Sequence, residues 1–138
     1  MVAAHAEMLM TGARRAQLIL SGVAVIVGAG GLVVARDVSF TAARGEILLG
    51  LGVSFNPLGA LVTIVLAVLA LAGAMAGNRV LVLAAAGGFG LATLQVVLQF
   101  GRADNWLGSR GSNLSFWLAL AVGLASLLWL QVREEEAS

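Results

Sequence analysis

Three polar side chains, Gln95, Gln99 and Arg102, follow one another at steps of four and three inside and at the edge of an apolar region. That spacing puts them on one stripe of a helix. Two amides and a guanidinium so arranged can bridge neighbouring helices, or hold a quinone or a lipid headgroup with Arg102 meeting a phosphate at the membrane surface. Hydrogen bonding between helices is the simpler of these readings, because glutamine within a membrane commonly acts that way.

Other chemistry is scarce. The single histidine, His5, has only Glu7 near it, too few ligands for a metal. The absence of cysteine excludes disulfides, thiol catalysis and thiolate metal sites. Met75 has no helix histidine to complete a haem ligand pair, and Gly28, Gly30 and Gly31 fall mid-helix rather than between a strand and a helix, so they do not form a phosphate loop. We therefore expect no catalytic residue, no metal and no cofactor.

The elements that carry these residues follow from composition. Of 138 residues, 60% are hydrophobic and 11% charged, and a mean hydropathy of +1.00 is too high for a soluble domain this small. A net charge of +1 from eight arginines, no lysine and seven acids leaves no electrostatic footprint for nucleic acid. Four uncharged stretches, 16–35, 47–78, 80–101 and 111–132, are each long enough to cross a hydrocarbon core of about 30 Å, which takes roughly 20 apolar residues. The expected fold is an all-α integral membrane bundle of four transmembrane helices.

Asn56-Pro57 divides the second stretch, since proline suits the first helical position and the asparagine before it can cap. Gly77-Asn78 reads as a tight turn joining two antiparallel helices. The helices are thus predicted at about 16–35, 57–76, 79–100 and 114–132, with Ser112 and Asn113 as cap candidates for the last. An N-terminal tail (1–13) and a solvated acidic tail (133–138) flank them. Arg14-Arg15 ahead of an apolar stretch resembles a twin-arginine signal, but that stretch exceeds the roughly 7–15 residues of a signal core, so the pair reads as the flank of helix 1.

Small residues repeat at steps of three and four: Ser21, Ala24, Gly28, Gly31 and Ala35 on helix 1, and Ala60, Thr63, Ala67, Ala70, Ala74 and Gly77 on helix 2. Such seams let membrane helices approach closely at a left-handed crossing near +20°. Helix 3 offers Ala84, Gly88 and Ala92, and helix 4 offers Ala119, Gly123 and Ser126. Trp106, Trp117 and Trp129 are expected as interfacial anchors at the headgroup level. The long connection between helices 1 and 2 contains an apolar segment, 47–55, expected to lie along the membrane surface or to dock on a partner, with an upward extension of helix 2 as the alternative.

Arginines divide equally between the two sides: Arg14, Arg15, Arg79 and Arg133 against Arg36, Arg44, Arg102 and Arg110. The leading pair favours both termini in the cytoplasm. Arginine without lysine, alongside abundant Ala, Gly, Val and Leu, points to a GC-rich bacterial genome and hence to a bacterial inner membrane. In length and helix count the chain resembles the small multidrug resistance transporters, but residues 16–35 lack the glutamate on which that family depends.

The leading expectation is a non-catalytic accessory subunit of a larger membrane protein complex, respiratory or transport-related, surrounded by membrane lipids and acting through helix packing. One alternative is a small homo-oligomeric transporter or channel for a neutral or lipophilic solute, its path lined by Thr63, Thr93, Gln95 and Gln99. The other is a lipid- or quinone-binding protein built on Gln95, Gln99 and Arg102.

Overall fold

A computed structural model describes residues 10–48, 52–99 and 102–138. The described residues form a bundle of four helices, α1 (Gly12–Val34), α2 (Pro57–Ala76), α3 (Arg79–Gln99) and α4 (Gly111–Ala137), with a hairpin of two short strands, β1 (Glu46–Ile47) and β2 (Ser54–Phe55), between the first two. All four helices are long and apolar enough to span a membrane, yet only 33–39% of each apolar window is buried within the protein. Large side chains such as Ile26, 73% exposed, and Leu91, 70% exposed, point outward. Most of the apolar surface thus serves a lipid environment rather than a core.

The helices pack in a ring, α1 against α2, α2 against α3, α3 against α4, and α4 back against α1. The first contact uses the small-residue seams predicted from sequence: Ser21, Ala24, Gly28 and Gly31 are buried on α1, as are Ala60, Thr63, Ala67, Ala70 and Ala74 on α2. A Cβ on Gly28 would lie 2.8 Å from Ile64 Cγ1 and 3.2 Å from the Ile64 backbone nitrogen, so the two backbones meet only because that carbon is missing.

On α3 and α4 the buried faces differ from expectation. Ala84, Ala119 and Ser126 are exposed, while α3 buries Val82, Ala85, Ala86, Phe89, Ala92, Thr93 and Val96 and α4 buries Trp117, Leu120 and Leu124. The narrow walls of α1 and α2 leave volume at the centre, and large side chains from α3 and α4 occupy it. Gly88 and Gly123 remain half-buried at contacts, where an added Cβ would run into Leu66 and come within 3.1 Å of Leu20 Cδ2.

The α2–α3 turn follows the predicted chemistry. Asn56 Oδ1 accepts the Gly59 N–H at 2.7 Å to start α2, and Gly77 stops it in the left-handed region at φ 68°. Asn78 Oδ1 accepts from Val80 and Leu81 at 3.0 and 3.3 Å to begin α3.

The start of α1 and both ends of α4 differ from expectation, while residues 1–9 of the predicted N-terminal tail lie outside the described residues. Helix α1 begins one turn earlier than position 16, because Thr11 accepts the Arg14 N–H at 3.2 Å and caps it. Helix α4 starts at Gly111 with Arg110, not Ser112 or Asn113, in the N-cap position; Asn113 is the third helical residue and accepts the Arg110 N–H at 2.9 Å, while Ser112 Oγ donates to the Gly52 carbonyl. The helix then continues through Glu134, Glu135 and Glu136 to Ala137, so the acidic end is helical, with Glu135 and Glu136 exposed. The reason is tertiary: Glu134 Oε2 accepts the Ala13 N–H at the start of α1 at 3.2 Å, and Glu135 pairs with Arg79.

Segment 47–55 is not a continuation of α2, which begins at Pro57. Its described part folds back as the antiparallel hairpin, Glu46 opposite Phe55 and Ile47 opposite Ser54. Val53, Ser54 and Phe55 are buried against the protein's own helices. The Phe55 ring meets Phe116 of α4 edge-on, with centroids 6.4 Å apart, and occupies space that a Cβ on Gly31 would invade at 2.5 Å. Leu49, Gly50 and Leu51 lie outside the described residues.

Candidate functional site

Hairpin and helix ends bring a set of buried amides and hydroxyls together where the two long loops meet. Ser54, Asn56 and Asn113 are fully buried, and Asn105 and Ser109 nearly so. Buried polar groups must find partners, and these do. Asn113 Oδ1 accepts the Ser54 N–H at 3.2 Å while its Nδ2 donates to the Ser54 carbonyl at 2.8 Å, so one side chain pairs with β2 as a neighbouring strand would. Ser54 Oγ donates to the Gly108 carbonyl at 2.8 Å. Asn56 Nδ2 donates both to Ala42 O, at 3.0 Å in the α1–α2 loop, and to Trp106 O in the α3–α4 loop.

Gln95 and Gln99 join this knot, bonding within α3 and to the loop that follows it rather than to another helix. Gln95 Nε2 donates to Gln99 Oε1 at 2.6 Å and to Asn105 Oδ1 at 3.0 Å, and Gln99 Oε1 also accepts the Trp106 N–H at 3.4 Å. Arg102 turns away and pairs with Asp104 at 3.0 Å. The stripe therefore divides: the two amides hold their own loop, and the arginine faces the surface.

The tryptophans divide as well. Trp106 and Trp129 are 61% and 62% exposed, and Arg133 lies over the Trp129 ring with Cζ 5.5 Å from its centroid. Trp117 is completely buried and is not an interfacial anchor. Its indole N–H donates to Thr63 Oγ1 at 3.1 Å, and that hydroxyl donates to the Gly59 carbonyl at 2.9 Å. Thr93 likewise donates to Phe89 O at 2.9 Å.

At the opposite end, Gln17 Nε2 donates to Gln131 Oε1 at 3.1 Å, and Gln131 Nε2 donates to Glu135 Oε1 at 2.7 Å. Arg14 donates through Nε and Nη2 to Ala74 O at 3.2 and 2.9 Å, satisfying a carbonyl at the end of α2. Gln17 Oε1 is the one buried side-chain polar atom left without a partner among the described residues.

Sequence reasoning placed Asn56 and Asn113 at helix starts and did not find that they tie the loops together, nor that Gln17 and Gln131 meet. The available signal was that asparagines flank both loops and that the two glutamines border apolar stretches on the same side. Among the described residues no three His, Cys, Asp or Glu side chains gather into a potential metal site. His5 and Glu7 lie outside the described residues. No protein-family model, curated protein or solved structure matches the chain.

Proposed function

We propose that this protein is a non-catalytic structural subunit of a larger complex in a bacterial cytoplasmic membrane, with both termini on the cytoplasmic side. One observation carries the reading: among the described residues the buried side-chain polar groups hold the protein's own backbone and side chains, Gln17 Oε1 alone excepted, and so are already engaged in building a rigid shape. Thr63, Thr93, Gln95 and Gln99, the residues a solute path would use, all have intramolecular partners. What is offered outward is a membrane-matched apolar surface and two loops fixed to each other. Such a surface suits close packing against neighbouring subunits.

Purification in a mild detergent, combined with deletion of the gene, tests the proposal. The expected result is a heteromeric particle of fixed stoichiometry whose membrane abundance falls when this subunit is absent. A discrete homo-oligomer that supports solute flux in liposomes would overturn it in favour of a transporter.

A further inference from the structure

Between the two loops lies a cleft of about 440 Å³ lined by Ala43 and Arg44 from one loop and Arg102 and Ala103 from the other. Its size is within the range of small-molecule sites. We propose that this cleft binds a phosphate group, and that its source is the headgroup of an anionic membrane lipid.

The first argument is charge. Arginine presents five N–H donors in a fork that matches phosphate oxygens. Asp104 engages Arg102 through Nε, which leaves the other donors of that guanidinium for a second acceptor. Glu46, the acid nearest to Arg44 in sequence, lines a different cleft with Arg36, Asp37 and Ile47. Arg44 has no ion-pair partner among the described residues. Two arginines from separate loops therefore line one cleft, and with Asp104 as the one acid paired there the local charge stays positive.

The second argument is preorganisation. Asn56, fully buried, donates to Ala42 O, one residue before the cleft wall, and to Trp106 O in the opposite loop. A single amide thus fixes the separation of the loops that carry the arginines, so binding orders little additional backbone. The third argument is depth. Val97 and Leu98, on the last turn of α3 before Arg102, are exposed and apolar, and Trp106 and Phe40 expose aromatic rings on the same loops. That combination marks the boundary between hydrocarbon and headgroups, where a lipid phosphate resides.

The test uses the full chain in detergent micelles doped with phosphatidylglycerol or with phosphatidylcholine, read by native mass spectrometry. A parallel arm reads the unfolding midpoint in inorganic phosphate against chloride at matched ionic strength. The wild type should retain phosphatidylglycerol preferentially, and Arg44→Gln and Arg102→Gln should each weaken retention about tenfold. Arg36→Gln, in the other cleft, should leave retention unchanged, and circular dichroism should show all three variants folded. Stabilisation by inorganic phosphate that disappears in the same two variants, without lipid preference, supports a phosphate site and assigns its source to solution. Undiminished phosphatidylglycerol retention in the double variant, or an equal loss in Arg36→Gln, overturns the proposal.

Discussion

Trp117 and Thr63 are joined across the bundle by a 3.1 Å hydrogen bond between helices α4 and α2, which are not neighbours in the ring. The bond fixes the rotation of the largest buried side chain in the protein. Replacing Thr63 with valine leaves a buried indole N–H without an acceptor and should destabilise the fold by about 1–3 kcal/mol. The double variant Thr63→Val/Trp117→Phe should cost less than the sum of the single changes, since it leaves no orphan donor. Unfolding titrations in mixed micelles measure the difference, and strict additivity would show that the bond contributes nothing.

Gly31 makes room for Phe55. An alanine there places a carbon 2.5 Å from Phe55 Cδ2, so Gly31→Ala should cost about 1–3 kcal/mol through overpacking. Adding Phe55→Leu should recover part of that loss. If Phe55→Leu made the alanine variant worse, the clash would lie elsewhere.

The acidic end of α4 is predicted to stabilise the bundle. Ending the chain after Arg133 removes the Glu134 acceptor of the Ala13 N–H and the Glu135 partner of Arg79 and Gln131. We expect a loss of about 1–2 kcal/mol, mostly from the cap and the Gln131 contact, because the Arg79 pair is solvent-accessible and contributes little. Hydrogen exchange should rise first at the start of α1. An unchanged unfolding curve would return these residues to the status of a tail.

Asn56 has two separable roles. A serine can still accept the Gly59 N–H as a cap but is too short to reach both Ala42 O and Trp106 O. Asn56→Ser should therefore release the loops at a cost of about 1–2 kcal/mol, and Asn56→Ala should add about 1 kcal/mol for the cap. Limited proteolysis of both loops alongside a stability measurement separates the effects. Equal stability of the two variants would mean the cap is unimportant.

The contrast between α1–α2 and α3–α4 shows which signals a sequence carries. Small residues at steps of three and four identified the α1–α2 seam, since only backbone approach explains Gly28 opposite Ile64. The same pattern misled on α3 and α4, whose inward faces fill the space that seam leaves open, a requirement set by volume across the bundle and absent from either helix alone. Asn56-Pro57 and Gly77-Asn78 were legible because caps and turns are local chemistry. Asn113 pairing with Ser54, 59 residues away, was not, because only tertiary structure defines its partner. Arg102 was marked from its helix stripe, but its cleft needed Arg44 from another loop.

The position of Phe55 bears on the order of events during synthesis. Its seat is assembled from Gly31 near the end of α1, the hairpin itself, and Phe116 on α4. A ribosome delivers that last wall only after α2 and α3 have emerged. Until then the aromatic ring lacks one wall of its seat, so its packing is completed only when the fourth helix is in place.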